Sequence, residues 1–198
     1  MEPLFEQLRE ELEKQPGKVL EQPSPGLRES AVLAPLFMRQ SQPFAVFTKR
    51  PAALRQHGGQ IAFPGGARDA EDLTPLHTAL RETHEELGIL PEDVAVLGML
   101  DEVPTITNYR VLPFVGVIPA DFRYRANPEE IEEVIEVPLA HLFNPAIHRI
   151  ERRRVMDTER EIYFYDYGPY VIWGVTGRIL RGLLQLIRGL SAFRPWLP

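Results

Sequence analysis

The sequence lacks cysteine altogether, and it also lacks any long uncharged apolar run. Without cysteine there is no disulfide scaffold, no zinc–thiolate site and no thiol nucleophile. No run of 18 apolar residues is available to span a membrane, and the N-terminus, MEPLFEQLREELEKQ, is too charged for a signal peptide. We therefore expect a cytoplasmic protein without a membrane partner.

Positive charge is also scarce. The 198 residues include 22 Lys+Arg, of which only three are lysines, against 28 Asp+Glu, which gives a formal net charge of −6. A basic surface for nucleic acid is therefore not expected, whereas an anionic small molecule needs only a local cluster of cations. What is present, 44% hydrophobic and 25% charged residues, is typical of one folded domain.

The hydrophobic patterns predict an α+β domain preceded by a helix. Residues 2–15 have the periodicity of a short amphipathic helix, and a Pro/Gly-rich stretch ends at about residue 26. We therefore divide the chain into an N-terminal helix and linker, residues 1–26, and a domain of residues 27–198. Strand-length apolar runs lie at 31–37, 44–50, 94–103, 109–118, 160–167 and 170–173, and helical patterns at 75–87, after Pro138 and at 175–190.

The helix at residues 75–87 has clear end signals. Thr74 is a suitable N-cap, Pro75 suits the first turn, and Gly88 suits the position after the C-terminus. At 100° per residue, one face gathers four residues into an expected buried stripe. These are Leu76, Leu80, Thr83 and Leu87.

A second face of this helix carries Glu82, Glu85 and Glu86, which lie within about 100° of one another at 3.6 residues per turn. Like charges at this spacing cost about 0.2–0.5 kcal/mol per pair, and only Arg81 is nearby to offset them. A solvated acidic face would carry the same residues. The alternative is a divalent-cation site, for which oxygen ligands without thiols favour Mg²⁺ or Mn²⁺.

The residues around these carboxylates are similar to a known motif. The REUxEExGU core of the Nudix box (U is aliphatic) is matched, apart from Thr83 at its first U, by Arg81, Glu82, Glu85, Glu86 and Gly88. The chain therefore resembles the Nudix hydrolases, which cleave nucleoside diphosphates linked to another moiety. The resemblance implies a Nudix fold, in which mixed β-sheets and α-helices form a sandwich around a catalytic loop–helix–loop.

The upstream half of the box departs from the usual spacing. Leu73 and Ala67 stand where the box has Glu and Gly, and the nearest fit, with one extra residue, uses Asp72 and Gly66. This is the spacing of the coenzyme A pyrophosphatases. Their second motif, approximately LLTxRxxxLRxHxGQxxFPGG, is matched by Phe47-Thr48-Lys49-Arg50, Leu54-Arg55, His57, Gly59-Gln60 and Phe63-Pro64-Gly65-Gly66.

This second resemblance implies a substrate site. Coenzyme A carries a diphosphate and a 3′-phosphate, and Arg forks suit phosphate oxygens. We therefore expect Arg50, Arg55 and His57 to bind substrate, although His57 could equally cap its own loop. Gly66 is expected to shape the loop that brings backbone groups to the diphosphate.

The resemblance also implies the reaction, hydrolysis of coenzyme A or acyl-coenzyme A to 3′,5′-ADP and 4′-phosphopantetheine. Glu82, Glu85 and Glu86 would hold the metal, and Arg81 would orient these carboxylates. An acidic residue from a later loop, Glu130 or Glu133, could share the proton transfer with Glu82. A Nudix hydrolase of ADP-ribose or NADH, a silent nucleotide-binding domain and a homodimeric state all stay open.

Overall fold

The computed structural model describes residues 1–20, 26–53, 57–155 and 158–197. The helices are α1 (Pro3–Lys14), α2 (Pro75–Leu87), α3 (Leu139–Leu142) and α4 (Gly174–Gly189). The strands are β1 (Arg28–Arg39), β2 (Gln42–Lys49), β3 (Ile61–Ala62), β4 (Gly65–Ala67), β5 (Ala95–Met99), β6 (Val103–Pro104), β7 (Tyr109–Val117), β8 (Glu133–Pro138), β9 (His148–Val155), β10 (Thr158–Tyr167) and β11 (Tyr170–Ile172). Within the described residues, none of the helices has the length and apolar character needed to cross a membrane.

The strands form one large mixed sheet and one small antiparallel sheet. The large sheet has the order β3-β2-β1-β7-β5, with β4 added to β1, β6 to β7 and β8 to β2. Its central pair, β1 and β7, is parallel. The small sheet has the order β11-β10-β9. The mixed sheet with helices is the α+β fold expected from the sequence.

Alternate residues of β1 enter two different cores, because successive side chains of a strand point to opposite faces. Leu33 belongs to the core that Leu87 of α2 shares, and Leu36 to the core that α1 and α4 share through Leu8 and Leu183. The helices therefore cover both faces of the large sheet. The N-terminal helix α1 packs in the main core, where each fully buried leucine contributes about 1.5–3 kcal/mol.

The predicted end signals of α2 are confirmed. Thr74 Oγ1 accepts a hydrogen bond from the backbone N–H of His77 at 3.1 Å, and Gly88 ends the helix with φ +75°. The expected buried stripe is only partly correct. Its members Thr83 and Leu87 are fully buried, whereas Leu76 and Leu80 are half-buried and Thr78, Ala79 and Glu86 are buried instead. The buried face is rotated because β4 crosses α2 on the side of Glu86.

Candidate active site

Two consecutive glycines of β4 bring backbone directly against α2. Gly65 has φ +150°, and a Cβ there would lie 2.3 Å from the carbonyl oxygen of Ala31 in β1. A Cβ on Gly66 would lie 2.4 Å from Glu82 Oε1. The first glycine therefore permits close strand pairing, and the second leaves room for the Glu82 carboxylate.

Three carboxylates converge beside these glycines. Glu82 and Glu86 of α2 and Glu130, from the loop before β8, each offer an oxygen, and these atoms lie within 4.8 Å of one another. We call this group the carboxylate cluster. Glu86 is only 2% exposed. Its Oε2 accepts a hydrogen bond from Gly65 N–H at 3.1 Å, and Arg50 Nη1 lies 3.7 Å from its Oε1.

The protein leaves the negative charge of this cluster poorly compensated. Burial raises the pKa of Glu86 to about 8, and the neighbouring Glu82 and Glu130 raise it further against the opposing effects of Gly65 N–H and Arg50. Burial also raises the pKa of Glu82, although Arg81 lowers it. Converging hard oxygens with excess negative charge are the donor set that suits Mg²⁺ or Mn²⁺, so the residues fit such an ion.

Backbone hydrogen bonds fix the loop that carries Glu130. The N–H of Asn127 donates to the carbonyl of Glu86 at 3.0 Å, and the N–H of Glu132 donates to the carbonyl of Lys49 at 2.8 Å. The Lys49 ammonium pairs with the Glu132 carboxylate. The loop is therefore tied to the end of α2 on one side and to β2 on the other, with Glu130 between these two attachments.

Arg81 is held by a buried partner that lies outside the helix. Its Nε and Nη2 donate to the two oxygens of Asp72 at 3.0 and 2.9 Å, and its Nη2 lies 2.9 Å from Glu82 Oε1. The Arg81 hydrogen bonds hold the pKa of the Asp72 carboxyl well below its usual range despite burial. Asp72, the nearest sequence match to the missing Glu of the box, thus positions the arginine next to the cluster.

Glu85, which we expected among the metal ligands, lies outside the carboxylate cluster. Its side chain is 49% exposed, and its Oε2 is 2.9 Å from Arg81 Nη1. The helical spacing places Glu85 one turn after Arg81, where an i,i+4 ion pair forms readily. Glu130 stands in the cluster where the sequence analysis had expected Glu85.

The expected substrate residues that the structure describes have different surroundings. Arg50 is beside Glu86, and its Nε is buried without a hydrogen-bond partner among the described residues. His57 has φ +58°, and its Nδ1 contacts Gln60 Oε1 at 2.9 Å within its own turn. Arg55 lies outside the described residues. Lys49, from the same basic segment, pairs with Glu132.

One contact near the cluster was missed by the sequence analysis. The Tyr170 hydroxyl of β11 donates to Glu133 Oε1 at 2.6 Å, which joins the small sheet to the strand that follows the Glu130 loop. No local pattern predicts this contact, because its two residues lie on different sheets.

The glycine loop, the helix after it and the carboxylates on that helix define a hydrolase site of the Nudix class. The NUDIX domain family model matches residues 27–158. The "uncharacterized Nudix hydrolase NudL" of Enterobacter sp. (strain 638) is 41% identical over 161 residues, covering 79% of this chain and 81% of the relative. NudL of Escherichia coli (strain K12) is 42% identical over 157 residues, with the same coverage.

Solved structures show the same fold. A Nudix hydrolase from M. smegmatis, RenU, has a TM-score of 0.50 at 24% identity and covers 59% of this chain and 74% of its own. A C. elegans Ap4A hydrolase has a TM-score of 0.52 at 15% identity and covers 85% and 98%. The chain therefore belongs to the Nudix family, whose members act on diphosphates of small nucleotide molecules and generally require a divalent metal ion.

Proposed function

We propose that this enzyme hydrolyses the diphosphate bond of coenzyme A, and of acyl-coenzyme A, to 3′,5′-ADP and 4′-phosphopantetheine. The observation that carries the diphosphatase reaction is the carboxylate cluster of Glu82, Glu86 and Glu130 beside Gly65 and Gly66. The choice of coenzyme A is supported by the motif at residues 47–66. The cytoplasmic location and a possible homodimer remain predictions.

In this proposal the cluster holds Mg²⁺ or Mn²⁺, with Glu82, Glu86 and Glu130 as ligands. A bound divalent ion neutralises diphosphate charge and makes water a stronger acid. Glu85 was expected in this set. We now propose that it pairs with Arg81 instead and that its negative charge acts on the neighbouring Glu82 carboxylate. The expected ligands are therefore revised by exchanging Glu85 for Glu130.

The chain's own groups have separate tasks. Arg81, held by Asp72, fixes the orientation of Glu82 and keeps one of its oxygens directed at the site. Glu130 is the better candidate to accept the proton of the attacking water, because the Glu82 carboxylate already forms an ion pair with Arg81. A carboxylate positioned as general base contributes about 10²- to 10⁴-fold to the rate.

Arg50 is placed to bind the diphosphate. Its side chain is 31% exposed and its guanidinium lies beside the cluster, and its buried Nε lacks a partner among the described residues. Arg forks bind phosphate oxygens through paired N–H donors. We propose that Arg55 and His57, from the same segment, contact the 3′-phosphate or shape its loop, with Gly66 giving the substrate access to Glu82.

The proposal is tested by supplying a substrate panel with Mg²⁺ and identifying the products by mass. The panel contains coenzyme A, dephospho-coenzyme A, ADP-ribose and NADH. We expect coenzyme A to have the highest kcat/KM and its products to be 3′,5′-ADP and 4′-phosphopantetheine. Preference for ADP-ribose or NADH would overturn the substrate but not the reaction. Absence of hydrolysis of every compound would favour a nucleotide-binding domain.

A further inference from the structure

A cavity of about 390 Å³ lies on the α1 and α4 side of the large sheet. It is bounded by the end of α1, by the connection between β5 and β6, and by α4. Its lining, within the described part of the chain, includes neither the carboxylate cluster nor the glycine pair of β4. Small-molecule sites typically have volumes of about 300–1,000 Å³, so this cavity has the size of a second ligand site.

Three cations line the cavity, Lys18, Arg178 and Arg181. The same lining contains two carboxylates, Asp101 and Glu102, and the ion pairs found among the described residues include none with these three cations. The Arg181 guanidinium lies over the Tyr163 ring, 5.2 Å from its centroid, and its Nε is buried without a hydrogen-bond partner among the described residues. Three cations against two carboxylates give the lining a net positive charge, which favours an anionic ligand.

The cavity also offers an unused hydrogen-bond acceptor. Glu102 is 6% exposed, and its Oε2 accepts a hydrogen bond from the backbone N–H of Leu20 at 3.1 Å. Its Oε1 is buried and has no partner among the described residues. A buried acceptor without a partner destabilises the folded state, and a donor group of a ligand bound beside Glu102 would satisfy it. The ligand should therefore carry hydroxyl or amino donors as well as an anionic group.

Gly182 of α4 keeps part of the cavity open. A Cβ at this position would have no heavy atom within 4 Å, so packing does not require glycine here. Glycine in a helix interior is also less favourable than alanine. Gly189, at the end of the same helix, also meets nothing within 4 Å but does not line the cavity. It provides a matched control for substitutions at Gly182.

Ion pairs and one side chain–backbone hydrogen bond connect the cavity to the carboxylate cluster. We call the series the ion-pair chain; it runs through Glu102, Arg110, Glu29, Arg68, Asp72, Arg81 and Glu82. Arg110 Nη1 lies 3.7 Å from Glu102 Oε2, and Arg68 Nη2 donates to the backbone carbonyl of Asp72 at 3.0 Å. The series is therefore a continuous path of contacts from Glu102 to Arg81.

We propose that the cavity binds a small phosphorylated compound carrying hydroxyl or amino donors, and that its occupancy alters divalent-cation binding at the carboxylate cluster through the ion-pair chain. The phosphate lies between Arg178, Arg181 and Lys18, and a donor of the ligand reaches Glu102 Oε1. Coupling between two sites is reciprocal, so a cation in the cluster changes the affinity of the cavity by the same factor.

Binding is tested first in the presence of excess chelator, so that phosphate cannot bind through a metal ion. Glycerol 3-phosphate and inorganic phosphate are titrated into the full chain by calorimetry. We expect saturable binding of glycerol 3-phosphate, tighter than that of inorganic phosphate. Arg181→Gln should weaken binding at least about tenfold, which is the loss of one charge-assisted hydrogen bond. Gly182→Phe should weaken it at least as much, because the added ring occupies part of the cavity.

The matched variants Arg188→Gln and Gly189→Phe should bind glycerol 3-phosphate like the wild type. If Gly182→Phe does not fold, Arg181→Gln decides the result. Absence of saturable binding in the wild type would overturn the proposal. So would binding that is lost in Arg50→Gln and kept in Arg181→Gln, because the phosphate would then lie at the carboxylate cluster.

The coupling is tested by titrating Mn²⁺ and following free Mn²⁺ by electron paramagnetic resonance, with and without saturating glycerol 3-phosphate. We expect the Mn²⁺ affinity to change about fivefold or more, the lower end of typical coupling. The change should disappear in Arg110→Gln, which interrupts the ion-pair chain. Equal Mn²⁺ affinity with and without glycerol 3-phosphate would overturn the coupling. Because the readout is binding, it does not depend on coenzyme A being the substrate.

Discussion

Asp72, just before the start of α2, and Glu86, in its last turn, are both buried carboxylates, and their surroundings differ. Asp72 is 2% exposed, like Glu86, but both of its oxygens accept hydrogen bonds from Arg81. Glu86 has one backbone N–H and a guanidinium at 3.7 Å, with two further carboxylates nearby. A compensated buried charge stabilises the fold, whereas an uncompensated one costs stability and is available to a ligand.

The largest expected effect is on catalysis. Glu82→Gln should lower kcat at least about 100-fold, because it removes a charged metal ligand, and loss of a group that only orients such a ligand already costs about 10- to 100-fold. The melting temperature without metal should be unchanged or higher, because the substitution removes repulsion inside the cluster. Steady-state kinetics and thermal unfolding of the same preparation measure both quantities.

Glu85→Gln is the matched control for that experiment, since Glu85 lies on the same helix but outside the cluster. It should lower kcat much less than Glu82→Gln. Equal losses from the two variants would contradict the distinction between them.

The next effect is on stability. Asp72→Asn should lower the free energy of unfolding by about 3 kcal/mol, because it leaves Arg81 without its buried partner. Glu86→Gln should not destabilise the metal-free protein, because burial already favours the uncharged form of Glu86. Chemical denaturation in chelator measures both. If Glu86→Gln were destabilised as much as Asp72→Asn, the claim that only Asp72 is a compensated buried charge would be wrong.

The same pair predicts a pH dependence. The pKa of Asp72 is lowered in the folded protein, so its contribution is complete above the unfolded value of about 3.9. This contribution is lost as pH falls through the folded pKa. Below about pH 4 the stability of Asp72→Asn should therefore fall less steeply than that of the wild type. If the free energy of unfolding of the two proteins fell equally with pH, the pKa of Asp72 would not be lowered in the folded protein.

The two glycines of β4 should respond differently to an added methyl group. In Gly65→Ala the new Cβ meets backbone of β1 at 2.3 Å, and φ is +150°, so we expect unfolding at a clearly lower temperature. In Gly66→Ala it meets only the movable Glu82 carboxylate. That variant should stay folded and bind divalent cations more weakly. Equal melting temperatures would contradict this difference.

The smallest expected effect concerns the loop that carries Glu130. Lys49→Gln removes a partly exposed ion pair with Glu132, and such pairs contribute about 0–1 kcal/mol. The backbone bond between Glu132 N–H and Lys49 carbonyl remains, so kcat should change less than threefold. A large loss of kcat, with the fold intact, would give Lys49 a direct role with substrate.

The sequence predicts the parts of the site that depend on local physics. Capping by Thr74 and Gly88 defines α2 because those signals act within one helical turn. Glu82 and Glu86 share a face because they are four residues apart. The sequence does not show that Glu86 is buried. Its burial depends on β4, which lies against α2 and whose Gly65 N–H donates to the Glu86 carboxylate.

Contacts between distant segments could only be guessed. Glu130 joins the cluster because the hydrogen bond from Asn127 N–H to the Glu86 carbonyl fixes its loop, and nothing in the local sequence of that loop specifies it. Glu85 was expected among the metal ligands from helical spacing and from the resemblance to the Nudix box, neither of which shows that its carboxylate pairs with Arg81. The strand β9 was also missed, since HRIERRRV has little apolar alternation.

The most direct test of the account is the number and affinity of Mn²⁺ ions bound by the wild type, Glu130→Gln and Glu85→Gln, measured by electron paramagnetic resonance without substrate. The account predicts that Glu130→Gln weakens Mn²⁺ binding at least about tenfold, as expected for the loss of a charged ligand, and that Glu85→Gln changes it less than twofold. Weakened binding in Glu85→Gln with wild-type binding in Glu130→Gln would contradict the assignment of the carboxylate cluster as the metal site.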